Sequence, residues 1–194
     1  MVIRERYGHV HIDPELVQAV AGNASDEVKI NVIKGLELHA RVEGPSWGPS
    51  IHSYVRFVSI DVLPNPNEPH RTMARVVTEF PVVPEMTDSE GSLSTAVLTT
   101  LLDNLSMSAN LAQGTVTNRK DDFDGVSQSL QYTFHAKAPL GTLVQVDNVC
   151  LSLGARSFTS RAEARNAETG EIIATVVQIK MGATIPFRTD LAKL

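Results

Sequence analysis

Residues 93–112, Leu93-Ser-Thr-Ala-Val-Leu-Thr-Thr-Leu-Leu-Asp103-Asn-Leu-Ser-Met-Ser-Ala-Asn110-Leu-Ala112, decide how the rest of the chain is read. Apolar side chains recur there with a helical period, and the stretch makes about five turns at ~3.6 residues each. It is apolar over most of its circumference, so the helix is predicted to be buried. One polar stripe runs along it through Thr99, Asp103, Ser106 and Asn110, at spacings of 4, 3 and 4 that keep them on one side. A carboxylate in the middle of so apolar a helix is costly unless something pairs with it. Asp103 is therefore the first candidate functional residue.

On both sides of the helix the pattern changes to strands. Val58, Ile60 and Val62 alternate with Ser59 and Asp61, Pro64-Asn-Pro-Asn-Glu-Pro69 is a turn, and Met73 to Val83 reads as a second strand. Beyond the helix, Val126, Gln128, Leu130, Tyr132 and Phe134 fall on one strand face, with Ser127, Ser129, Gln131, Thr133 and His135 on the other. Pro139-Leu-Gly141 is a break, and 142–153 and 157–166 read as two more strands. The turn Asn166-Ala-Glu-Thr-Gly170 leads into a last strand, Ile172 to Met181. Two strands, one long buried helix, then four strands predict an α+β domain of the hotdog type over residues 51–186. In that arrangement a curved antiparallel sheet of five to six strands wraps a long central helix.

Residues 1–50 read as an N-terminal helical extension. Asp13-Pro14-Glu15 is a capped helix start. Ser25-Asp26-Glu27 is a second, followed by Val28, Val32 and Leu36 at helical period, and Gly44-Pro45-Ser46-Trp47-Gly48-Pro49 breaks the pattern. Residues 187–194 read as a C-terminal tail.

Bulk chemistry removes several function classes. The chain has 194 residues and a formal charge of -5, which argues against general nucleic-acid binding because that needs a basic stripe. An anionic small ligand is still allowed, since a few local Arg or Lys suffice. The single cysteine, Cys150, permits no internal disulfide and no paired-cysteine metal motif, and fits a reducing compartment. His9 and His11 form an HxH pair without a further His or Cys cluster, so neither a metal nor any other cofactor is expected. No apolar run approaches the ~20 residues of a membrane span, and the charged start Met1-Val-Ile-Arg-Glu-Arg-Tyr7 does not read as a secretory signal. The terminal Ala192-Lys193-Leu194 is a conservative relative of the Ser-Lys-Leu peroxisomal address. A peroxisomal or cytoplasmic location is therefore expected, and secretion is not.

Gly91-Ser-Leu-Ser-Thr-Ala-Val-Leu-Thr-Thr-Leu-Leu-Asp103-Asn104 resembles the start of the central helix in hotdog thioesterases of the phenylacetate-pathway and 4-hydroxybenzoyl-CoA type. Gly125-Val-Ser127, Tyr132-Thr133 and Pro139-Leu-Gly141 are similar to the family's next strand and turn. Asn166-Ala-Glu-Thr-Gly170-Glu171 and Ile172-Ile173-Ala174 are similar to its closing strands. The resemblance covers about residues 53–183 and implies an acyl-CoA thioesterase of lipid metabolism that works as a homodimer or homotetramer. It implies Asp103 as general base or nucleophile and Ser127 as the hydroxyl that helps place water. It also implies the Thr95 backbone N–H as the group polarising the thioester carbonyl, with Asp88 orienting water or a carboxylate. Ser94 and the turn Arg156-Ser157-Phe158 fall where relatives touch substrate or CoA, and Arg161 and Arg165 alternate on the strand that follows.

The sequence departs from the family in two places: Ser94-Thr95 replaces its His-Gly pair, and Asp88 replaces an amide. Independently of the resemblance, Thr95 and Asp103 are eight positions apart, roughly 12 Å along one helix, too far to act on one carbonyl. If both act on it, one comes from a second copy, and an isologous dimer supplies the pair twice. Two alternatives stand beside hydrolysis: a non-hydrolytic acyl-CoA or acyl-carrier binding module, and a hydratase or dehydratase on the same fold. The latter usually has a His where Ser94 stands.

Overall fold

Six strands form one antiparallel sheet: β1 (Arg56–Pro64), β2 (Thr72–Pro81), β3 (Val126–Phe134), β4 (Leu143–Leu153), β5 (Ser157–Asn166) and β6 (Ile172–Met181). Their spatial order is β1-β2-β4-β5-β6-β3. The computed structural model describes residues 11–40, 48–119 and 125–182. His9, the breaker residues Gly44–Trp47, the chain start and the Ala192-Lys193-Leu194 tail therefore lie outside the described residues. Between β2 and β3 the chain runs through the long helix, so β3 pairs at the far edge beside β6 and not beside β2. Three shorter helices precede the sheet: α1 (Pro14–Ala19), α2 (Asp26–Ala40) and α3 (Gly48–His52). The long helix, α4, spans Thr95–Val116, four residues past the predicted end at Ala112.

The apolar circumference of α4 is covered from two sides. Leu101, Leu102 and Leu105 pack with Phe80, Val144, Val146, Ala162 and Val176 of the sheet, all 0–1% exposed. Each such Leu contributes roughly 1.5–3 kcal/mol through burial. Further along, Leu111 and Ala112 pack with Val28, Val32 and Ile33 of α2. The helical extension therefore roofs the helix face that the sheet leaves open.

The same extension covers one sheet edge. Ala21 N donates to Val58 O at 3.0 Å and Ile60 N to Ala21 O at 3.0 Å, a short bridge on the free side of β1. Asn23 extends it, accepting from Val62 N at 2.7 Å and donating to Val62 O at 3.1 Å. Gly22 between them has φ +98°, and a Cβ there would lie 2.2 Å from Ile60 O, so only glycine fits this approach. At the opposite edge, β3 pairs with β6 alone among the described residues, and it carries the exposed side chains Val126 and Phe134.

The alternation predicted for 126–135 is corrected near its start. Ser127 faces Lys180 and Ser129 faces Ile179, so Gln128 is the extra residue of a β-bulge. Beyond the bulge the prediction stands, with Leu130 and Tyr132 turned inward. Before it the faces exchange: Val126 is 73% exposed, and Ser127 turns toward the helix. Arg161 and Arg165 both pair with Glu163 on the outer sheet face, Arg161 at 3.0 Å, and form a surface ion-pair cluster. Among the described residues, no helix is long and apolar enough to cross a membrane.

Candidate active site

Asp103 and Ser127 meet within one chain. Ser127 Oγ donates to Asp103 Oδ1 at 2.7 Å, from the strand start that the bulge turns inward to the middle of α4. The polar stripe explains the meeting place. Along it, the Thr99 carbonyl accepts from Tyr132 Oη at 3.0 Å, Asp103 receives Ser127, and Ser106 Oγ donates to Gln178 Oε1 at 2.5 Å. Thr99, Asp103 and Ser106 of the stripe therefore lie against β3 and β6, at the edge where β3 pairs with no further strand among the described residues. Burial, and then the charge of Asp103, push the Tyr132 hydroxyl well above the usual phenol range.

Three residues at this site carried no functional reading in the sequence. Gln178, fully buried on β6, donates through Nε2 to the Asp103 carbonyl oxygen at 3.0 Å, to Ser127 Oγ at 3.1 Å, and to Asp103 Oδ1. Ser106 sat in the stripe but had no visible partner. Lys180, 4% exposed, lies opposite Ser127, and its Nζ is 3.8 Å from Met107 Sδ. A polar side chain in the mostly apolar run Ile172–Met181, which also holds Thr175 and Lys180, was the available signal for Gln178. One position past Asp103, Asn104 Nδ2 lies 2.9 Å from Nε2 of the buried His52.

Thr95, Ser94 and Asp88 gather elsewhere. Asp88, Ser92, Thr95, Phe134, His135 and Lys137 are among the residues lining a cavity of about 340 Å³ at the start of α4, and neither Asp103 nor Ser127 lines it. Ser94 occupies the cap position of α4 without a side-chain capping bond, and the first helical turn holds no acidic residue. The first N–H groups of the helix, Thr95 included, have no intrahelical acceptor and sit at the positive end of its dipole. Asp88 is partly committed to the local turn: its Oδ1 accepts from Glu90 N at 2.9 Å and Ser92 N at 3.2 Å. One carboxylate oxygen is left for any other role.

The turn at Arg156-Ser157 lies at the other end of the sheet, in line with Met181 and the start of β3. Arg156 is exposed. The expected ligand contact for Phe158 is corrected. The ring is 2% exposed in the core beneath α2, with the Arg119 guanidinium 5.7 Å from its centroid, so it presents no surface to a ligand. Arg119 also donates to the carbonyls of Leu153 and Gly154 at 2.6 and 2.9 Å, which fixes the turn beside Arg156.

A curved sheet wrapped around one long helix is the hotdog fold, and solved structures agree. Zebrafish thioesterase superfamily member 2 superposes with a TM-score of 0.62 at 21% identity, over 79% of this chain and 97% of that one. Its mouse counterpart gives 0.54 at 21% identity, over 68% and 84%. A hypothetical thioesterase protein of Streptococcus pneumoniae TIGR4, solved with coenzyme A, gives 0.50 at 18% identity, over 56% and 78%. Likeness at these identities establishes the fold. No protein-family model and no curated protein sequence matches the chain.

Proposed function

We propose that the chain hydrolyses an acyl-CoA thioester to the free acid and CoA, at a site assembled from two copies of the chain. The observation that carries this reading is the Ser127–Asp103 hydrogen bond at 2.7 Å in the middle of the hotdog helix. Asp103 acts as general base and takes one proton from a water whose oxygen attacks the thioester carbon. The carbonyl electrons move onto oxygen, where the Thr95 N–H of the second copy donates to them. Re-forming the C=O bond breaks the C–S bond, and the departing thiolate takes the proton back from Asp103. Ser127 holds the carboxylate and helps place the water.

Two observations support the two-copy form, and a third supports an acyl-CoA substrate. Thr95 and Asp103 belong to different surroundings within one chain. The β3 edge exposes Val126 and Phe134 beside both of them. The thioesterase-superfamily neighbours share the fold, and one of them was solved with coenzyme A.

The test is thiol release from short-chain, medium-chain, long-chain and aromatic acyl-CoAs, with wild type beside Asp103→Asn. The expected result is turnover of at least one class and its loss in the variant, by a factor on the order of 10² or more. Full activity in the variant overturns the assignment. No release from any thioester, with CoA still protecting the protein against heat, leaves a non-hydrolytic acyl-CoA binding module as the function.

A further inference from the structure

The structure assigns Gln178 as the positioning residue that fixes which carboxylate oxygen of Asp103 reacts; the assignment rests on the proposed hydrolytic role of Asp103. Gln178 holds this residue at two points, because its Nε2 donates both to the Asp103 main-chain carbonyl at 3.0 Å and to the side-chain Oδ1. Ser127 Oγ donates to the same Oδ1 at 2.7 Å. Oδ1 therefore has two donors. Among the described residues Oδ2 has none, although Asp103 is only half-buried. An oxygen with two donors has its lone pairs engaged, so the free Oδ2 is the one that can accept a proton from water.

The orientation of the amide follows from its neighbours. Ser106 Oγ lies 2.5 Å from Oε1, and its hydroxyl supplies the one hydrogen that contact needs. Turning the amide over would set Oε1 against a carbonyl oxygen and a carboxylate oxygen, three acceptors with no hydrogen among them. The two Asp103 oxygens thus set which way the amide faces, Ser106 satisfies its oxygen because a hydroxyl can donate there, and both Gln178 and Ser106 act from positions shielded from solvent. Gln178 is 0% exposed, which keeps it behind Asp103. It acts through Asp103, and Lys180 and Tyr132 are the other titratable groups close to the cluster.

Two variants separate positioning from bulk packing. Gln178→Met keeps the length and removes the hydrogen bonds. The expected result is a fall in kcat on the order of 10- to 100-fold, the size of loss a misplaced reacting group produces, with KM little changed. Gln178→Glu keeps the shape and sets a second carboxyl against Oδ1. Two carboxyls in contact share one proton, so the pH profile of kcat/KM should move by about one pH unit or more, which a packing defect alone does not produce. Thermal unfolding of both variants checks that they are folded, and if Gln178→Met is not, the Glu profile decides. Wild-type kcat in the Met variant together with an unmoved Glu profile overturns the assignment of Gln178, provided Asp103→Asn is inactive. An active Asp103→Asn would instead overturn the underlying reading of the site.

Discussion

Ser127 reaches Asp103 because Gln128 is the extra residue of a bulge opposite the Lys180–Ile179 step. In an unbroken strand Ser127 is three positions from the inward-facing Leu130 and points outward. The bulge counts Gln128 out and brings Ser127 back to the inner face.

Deleting Gln128 therefore has an expected outcome opposite to ordinary intuition about a deletion beside an active site. Ser127 then directly precedes Ser129 in a regular ladder, stays two steps from Leu130, and still faces α4. Thiol release should be largely retained in the deletion. Ser127→Ala should lose turnover by about 10-fold or more, since it frees one side of the Asp103 carboxylate. A deletion that abolishes activity as thoroughly as Ser127→Ala would show that the bulge does more than set the face.

The same bulge marks how far the sequence could be read. Element order, all six strands and the buried helix were legible because each has a long, regular period: 2 for strands and 3.6 for α4. A one-residue bulge has no such period, so the facing of Ser127 before it was read wrongly while Leu130 and Tyr132 after it were read correctly. Asp103 was legible because a carboxylate stands out in an apolar helix. Gln178 was not, because its role depends on two partners that are distant in the chain, Asp103 and Ser106. Phe158 was assigned to a surface turn by its neighbours Gly154 and Arg156. The helical extension that buries it comes from residues more than a hundred positions away.

Gly125, just before β3, tests how tightly the strand start is held. A Cβ at this position would lie 1.9 Å from Met181 O and 2.6 Å from its carbonyl carbon, both main-chain atoms that cannot rotate aside. Gly125→Ala should destabilise the protein by about 1–3 kcal/mol, the usual cost of overpacking, measured by chemical denaturation. Turnover should fall with it, because Ser127 is two residues away. A variant as stable as wild type would mean that the two strands can part here without loss.

Cys150 supplies a test of the core on the alkaline side. Burial pushes its thiol from an ordinary value of 9.0 up to about 12. At pH 8 the native thiol should resist alkylation and become reactive only on unfolding. A raised folded pKa contributes stability that is intact below pH 9 and is lost as pH climbs toward 12, because the unfolded chain ionises first. Tyr132 is shifted in the same direction. Denaturation midpoints should thus fall over that window, and less steeply in Cys150→Ala. Rapid native labelling at pH 8 would contradict the burial.

The shared site is tested by mixing two inactive variants. Asp103→Asn removes the base and leaves the start of α4 intact. Thr95→Pro removes one backbone N–H and leaves Asp103. Proline suits the first position of a helix, and Ser94 before it already has φ -59° and ψ 131°, the extended conformation that a residue preceding proline adopts. Each variant alone should be inactive and folded. After the subunits exchange, half of the dimers are mixed, and each mixed dimer holds one site with Asp103 from one copy and the Thr95 N–H from the other. Its second site lacks both groups. Activity should therefore return to roughly a quarter of wild type for an isologous pair. If both groups served one carbonyl from the same chain, every site in the mixture would lack one of them, and no activity would return.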